Sequence, residues 1–448
     1  MPAEPPPSPL TAPTTKAQGD DGGDGGAAAP AQDPTRSEPG VDVYRGWVVI
    51  LMFAVHARRI QSRPTRPWPV ESDAASGSLV ARAGDASLDF LMWAEPYIAT
   101  SFLFLVGYSM LLSYRAALSR RATLSQQATL PRRSALPQQA APVRHALEPI
   151  ISAGQGTSSL TSQRWSARML KRAGWLYLLS VGLFVPQFGW QWPDLIFSSG
   201  ILSAIALSIV CCALLIPRPS AWLLTCGGVA LVLGATTLMH LLRATVSGLN
   251  GGPGGALPLL AAALCGALAG LYFHPAETPA GRQRAAFGLL LIAPAALWSI
   301  GVYGLNGPWI ETLRSSYLDY AGVAVSYWLE HGLALPTQRS SVAFWNHTSL
   351  GMLYLFGLLW LNLWAARSLP TPLLRGLAPL QLLGRHALLA YVMHLGALGV
   401  IELLGVAPAS SLGTWVLVVS LTAAACALGA ARERFKAVAK ASRAPATG

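Results

Sequence analysis

Two ionisable residues mark the first apolar segment. Arg45 and His56 stand eleven residues apart, on either side of an unbroken apolar run from Trp47 to Val55. On an α-helix that spacing is close to three turns, a rise of about 16.5 Å, so both side chains project from one face. An Arg at one membrane interface then places the His somewhat past the middle of a bilayer core ~30 Å thick. Ionisable groups at such depth are costly and mark function by default. A neutral imidazole there can take a proton from a hydroxyl or amine as a general base. The alternative is a histidine that serves packing alone, hydrogen-bonded to a neighbouring helix. Asp42, three residues before Arg45, is spaced to orient the guanidinium through an ion pair. Arg58 and Arg59 follow His56 at once. The apolar run is therefore short for a helix facing lipid along its length, and better suits one lining a wet cavity.

A second constellation lies in Gly384-Arg385-His386 and the apolar residues after it, through Tyr391 and His394. Arg385 opens a predicted span over 386–405. His394, nine residues on, falls two and a half turns away and so points to the opposite face from Arg385. Tyr391 and His394 share a face. His394 either bonds a partner helix or lines the same pocket as His56. His347, beside Asn346, opens another predicted span and is a candidate substrate contact. His145, His240 and His274 fall in a loop or at helix ends. No metal-ligand spacing, Gly-rich phosphate loop or nucleophile elbow occurs, so no metal site is expected. The five Cys all lie in apolar runs without paired spacing, and read as small core residues.

The elements that must carry these residues are membrane helices. Of 448 residues, 52% are hydrophobic and 12% charged. That charge content is about half that of a soluble domain, which excludes a soluble enzyme of one or two domains. Ten apolar segments are long enough, or nearly so, to span: roughly 44–60, 95–114, 169–188, 195–216, 220–242, 256–273, 285–304, 342–365, 386–405 and 411–431. The expected fold is all-α, a polytopic bundle of about ten transmembrane helices. With the N-terminus in the cytoplasm and alternating spans, 24 of the 32 Lys+Arg fall on the cytoplasmic side. This is a positive-inside bias, and it returns both termini to the cytoplasm. The net charge of +12 is thus mostly topology and implies no nucleic-acid partner.

Residues 1–40 are rich in Pro, Ala, Gly and Asp and read as a disordered cytoplasmic tail with no signal peptide, leaving the first helix as an uncleaved anchor. The membrane domain is expected over 41–431, with a basic cytoplasmic tail at 432–448. A low-complexity insertion at 115–166, in which Arg120-Arg121 and Gln126-Gln127 recur as Arg132-Arg133 and Gln138-Gln139, reads as a solvated, disordered cytoplasmic segment. A polybasic contact with anionic lipid is the other reading. Of the outer loops, 305–341 mixes aromatic rings with carboxylates, suiting an interfacial belt or sugar binding, and 317–330 could lie on the membrane surface.

Asp42-Val43-Tyr44-Arg45-Gly46, followed by an apolar helix ending in His56, resembles the start of the heparan-α-glucosaminide N-acetyltransferase-like bacterial membrane proteins, part of a wider transmembrane acyltransferase superfamily. Ser101 to Gly107 (SFLFLVG), Ile196 to Leu202 (IFSSGIL) and Gly384 to His394 are similar to later segments of that group, in the same order. The resemblance spans most of 41–405. It departs where the family often has His after the fourth-helix motif and this chain has Ser203. What it implies is acyl transfer across the bacterial inner membrane. Acyl-CoA, with acetyl-CoA the expected donor, binds from the cytoplasm; a hydroxyl or amine, expected on a sugar or other glycan, accepts the acyl group on the outer face. No tightly bound cofactor is implied. His56, Arg45 and Asp42 would be catalytic, with Arg385, His394, Tyr391 and His347 at the substrate. Two other readings fit the composition: a small-solute transporter, and a non-catalytic membrane protein of the same fold, as monomer or oligomer.

Overall fold

The structure is a computed structural model that describes residues 38–61, 95–133, 148–188, 190–242, 259–272, 349–406 and 410–442, with a few residues in 83–88 and 246–257 and at 408. All of these belong to one compact unit. Among them the only regular structure is helical. A bilayer dictates this, since a helix satisfies its own backbone N–H and C=O groups where no water can. Twelve helices are described: α1 (Pro39–Gln61), α2 (Glu95–Arg133), α3 (Glu148–Phe188), α4 (Asp194–Phe197), α5 (Ile201–Leu215), α6 (Ala221–Leu241), α7 (Leu259–Tyr272), α8 (Ser349–Arg367), α9 (Thr371–Gly376), α10 (Ala378–Arg385), α11 (Ala387–Leu403) and α12 (Ser411–Ala441).

Four stretches are long and apolar enough to cross a membrane: Pro39–Gln61, Tyr97–Arg121, Ala221–Met239 and Ser411–Ala439. The α10–α11 pair is a fifth if counted as one broken span, bent by 83°. The expected span at 285–304, the outer loop at 305–341 and the tail up to residue 37 lie outside the described residues.

Helix α1 is the hub. It packs against α2, α8, α10, α11 and α12, and most of its length is buried. By contrast α6 and α12 turn most of their apolar surface outward, as lipid-facing helices do. Close backbone approach at two glycine-lined seams sets the core. In one, Gly107 of α2 lies against the Ala263 carbonyl of α7, and Gly266 of α7 lies against the Phe104 carbonyl of α2. In the other, Gly46 of α1 lies on the Leu380 carbonyl of α10, and Gly384 of α10 lies on the Asp42 carbonyl of α1. A Cβ at any of the four would overlap a backbone oxygen. Small residues are how membrane helices gain contact where apolar burial gives no drive to associate.

Three expectations need correction. Residues 115–133 and 148–166 are not an irregular insertion: they are the continuations of α2 and α3, joined by Tyr114 Oη to Ser162 Oγ at 2.9 Å, by Arg121 to the Thr161 hydroxyl, and by Trp165 Nε1 donating to Ser113 Oγ at 3.2 Å. Ser, Gln and Ala keep helices going when a neighbouring helix supplies polar partners, and low complexity alone does not break them. Likewise the basic stretch after 431 continues α12 as far as Ala441 rather than beginning a separate tail. Of the five Cys, only Cys212 and Cys265 are core residues, whereas Cys226 is exposed on α6.

Candidate functional site

Helix α1 threads polar side chains through the bundle along its whole length. At its N-terminal end Glu38 pairs with Arg367 of α8 at 2.8 Å and accepts a hydrogen bond from Tyr108 Oη at 3.2 Å. Two turns on, Arg45 Nη1 donates to Asp42 Oδ1 at 2.7 Å and to the Gly384 carbonyl at 3.5 Å, while Nη2 donates to Ser109 Oγ at 2.8 Å. Arg45 thereby ties α1, α2 and α10 together. Its side chain is 19% exposed and that of Asp42 only 3%, so the guanidinium is mostly committed inward and offers one small charged surface. The Gly46–Gly384 contact makes this geometry, because only glycine there lets the Gly384 carbonyl come within reach of Arg45.

Removing one member of a buried ion pair strands the other charge. Asp42→Ala and Arg45→Ala are each expected to lower stability by about 3 kcal/mol. The double variant should lose less than the sum of the two, with a coupling of about 1 kcal/mol or more. Thermal unfolding of the four proteins in one detergent measures that coupling.

Between the ends, Tyr44 Oη meets Tyr97 Oη at 3.1 Å and donates to Ser101 Oγ at 3.3 Å. At the far end is the histidine pair. His56 Nδ1 lies 2.8 Å from His394 Nε2 of α11, with the rings 5.1 Å apart and nearly parallel. Phe53 packs on the His394 ring at 4.7 Å, and Tyr391 meets it edge-on at 5.2 Å. His394 is 0% exposed, whereas His56 is half-buried and reachable. The other ring nitrogen of His394, Nδ1, is buried without a hydrogen-bond partner among the described residues. A neutral imidazole carries one N–H, so one nitrogen of the His56–His394 contact donates and the other accepts. When His56 is the donor, from Nδ1, the lone pair on its Nε2 is left for a third group. Arg59, one turn beyond, is near enough for its charge to act on His56.

The sequence candidates thus divide. Asp42 and Arg45 form one cluster; His56, His394 and Tyr391 form another on the same helix. Tyr391 is 5% exposed and packs on Phe102, so it walls the cluster rather than opening onto it. Arg385 joins neither: it is exposed, with Nε directed to the Gln381 carbonyl at 3.4 Å. His347 lies outside the described residues. No group of three metal-ligating side chains occurs among the described residues.

Comparison with protein-family models, with curated proteins and with solved structures finds no match to this chain.

Sequence reasoning also overlooked the role of His386, placing it at the start of a straight span. It is the break itself. Its N–H is shared by the Leu382 and Leu383 carbonyls at 3.2 Å, and its own carbonyl accepts from Ala390 N–H at 2.9 Å, which opens α11. The imidazole is buried, with Nε2 2.9 Å from Glu433 Oε1 of α12. Glycine at 384 was the available signal. The bend lets one broken helix touch α1 twice, through the Gly384 backbone at Arg45 and through the His394 ring at His56.

Proposed function

We propose that the chain is a multi-pass membrane acyltransferase, moving an acyl group from cytoplasmic acyl-CoA to a hydroxyl or amine, on a sugar or similar acceptor, at the outer face of the bacterial inner membrane. The observation that carries this reading is the His56–His394 hydrogen bond inside the bundle, with Nε2 of His56 on the side of the ring away from its partner. The likeness of the first, second, fourth and ninth apolar segments to the heparan-α-glucosaminide N-acetyltransferase-like group supports it; a ten-span topology with cytoplasmic termini, read from the Arg distribution, is part of the same proposal.

In this mechanism His56 Nε2 takes the proton of the acceptor as its oxygen or nitrogen attacks the thioester carbonyl. The C–S bond breaks, a C–O or C–N bond forms, and the CoA thiolate leaves with the proton returned from His56. His394 is a positioning residue: by accepting from Nδ1–H it holds the His56 tautomer and supports the imidazolium that forms. Arg45, about three turns toward the cytoplasm, lies at the level where donor phosphates arrive. Water kept out of the bundle slows hydrolysis of the thioester.

The break between α10 and α11 favours a second reading, a small-solute transporter, because discontinuous helices line transport sites. Proteoliposomes with acetyl-CoA outside and an amino-sugar panel inside separate the two. Acyl transfer releases free CoA thiol outside, and acylated sugar appears within. Efflux of unmodified sugar without CoA release would favour the transporter and defeat the enzyme.

A further inference from the structure

Helix α3 has two distinct faces. Its inner face is set by contacts: Trp165, Ala173, Leu176, Ser180 and Phe184 are buried, Ser166 Oγ donates to the Ala213 carbonyl at 2.9 Å, and Ser180 Oγ donates to the Ser199 carbonyl at 2.7 Å. The opposite face carries Arg164, Arg168, Lys171, Trp175 and Leu178, all exposed. Their spacing of four, three, four and three residues keeps them within an arc of about 80°. Arg172 flanks the stripe and is exposed as well. Among the described residues no carboxylate pairs with these four cations.

The order along the helix matters. Cations occupy the first two turns of the stripe; Trp175 at 65% exposure and Leu178 at 59% occupy the next. Arg172 lies near enough to Arg45 for the two like charges to act on each other, which sets the cationic turns at the same end of the bundle as the start of α1. An amphiphile with an anionic head and an apolar tail matches this sequence of chemistries: cations for the phosphate, an indole at the interface, a leucine against the acyl chain. A soluble anion would engage only the first part, and a neutral lipid only the second.

We propose that this face of α3 is a binding site for the headgroup of an anionic phospholipid. The site stands apart from the histidine pair and does not depend on the acyltransferase reading.

Native mass spectrometry of the full chain, released from detergent with phosphatidylglycerol or phosphatidylcholine of identical acyl chains, tests it. The wild type is expected to retain phosphatidylglycerol at least about tenfold better than phosphatidylcholine. Replacing Arg164, Arg168, Lys171 and Arg172 together by Gln should abolish that preference. Neutralising Arg432, Arg434 and Lys436 on α12, another basic stretch, should leave it intact. Excess glycerol phosphate should not displace the lipid. Equal retention of both lipids, survival of the preference in the α3 variant, equal loss in the α12 variant, or full displacement by glycerol phosphate would each overturn the proposal. A melting curve confirms that the α3 variant is folded; should it unfold, the pairs Arg164→Gln with Arg168→Gln and Lys171→Gln with Arg172→Gln are each expected to halve the preference or more, and an unchanged preference in both overturns it.

Discussion

Replacing His56 by Ala is expected to slow acyl transfer by about 10²–10⁴-fold, the usual contribution of a positioned general base. The loss should appear in kcat, since in the proposed mechanism His56 acts on the proton that moves in the transition state rather than on the bound substrates. The variant should remain a folded membrane protein, because His56 is half-buried and its removal leaves His394 with one vacated hydrogen bond rather than a stranded charge. His394 gives the finer test. In the proposed mechanism its Nε2 accepts, so Gln at 394, whose side-chain oxygen reaches a similar position, should keep part of the activity. Leu at 394 fills the space with no acceptor, and should lose about 10²-fold through misplacement of the His56 ring. Equal activity in the Gln and Leu variants would mean that the hydrogen bond does not position His56.

The second large effect is at the seam of α1 and α10. Gly384→Ala places a methyl group on the Asp42 carbonyl, and Gly46→Ala places one on the Leu380 carbonyl. Backbone cannot move aside as a flexible side chain can, so each should cost more than the usual ~1–3 kcal/mol of an overpacked core. Moving α10 away also withdraws the Gly384 carbonyl from Arg45. The expected result is a lower unfolding temperature, with aggregation on extraction from the membrane. Gly396→Ala on α11, where an added Cβ meets nothing within 4 Å, should behave like the wild type. Similar unfolding of all three variants would remove the close-contact account of the seam.

Much of this was legible in the residues. The spacing of Arg45 and His56 on one apolar helix, and the three-residue step from Asp42 to Arg45, are local and survive folding unchanged. Helical periods also carried Tyr391 beside His394. What could not be read was the meeting of His56 with His394, which are 338 residues apart. That contact depends on a bend at His386, and no proline marks it. At the bend lie the backbone contact of Gly384 and the Glu433 carboxylate of α12, both properties of the packed bundle. For the same reason Arg385 could not be excluded from the site beforehand: a straight helix would have left its placement open, whereas the break leaves it on the exposed end of α10. Ser109 and Ser101 were invisible as partners because a lone serine in an apolar run carries no pattern until a neighbouring helix presents a donor.

In the proposed function the histidine pair serves a transfer of acyl groups. The most direct measurement follows label from radioactive acetyl-CoA to an amino-sugar acceptor, with the purified full-length wild type and its His56→Ala variant side by side in the same lipid. The account predicts one labelled sugar for each CoA released by the wild type and only background from the variant. Labelled product at the same rate from both proteins would contradict it.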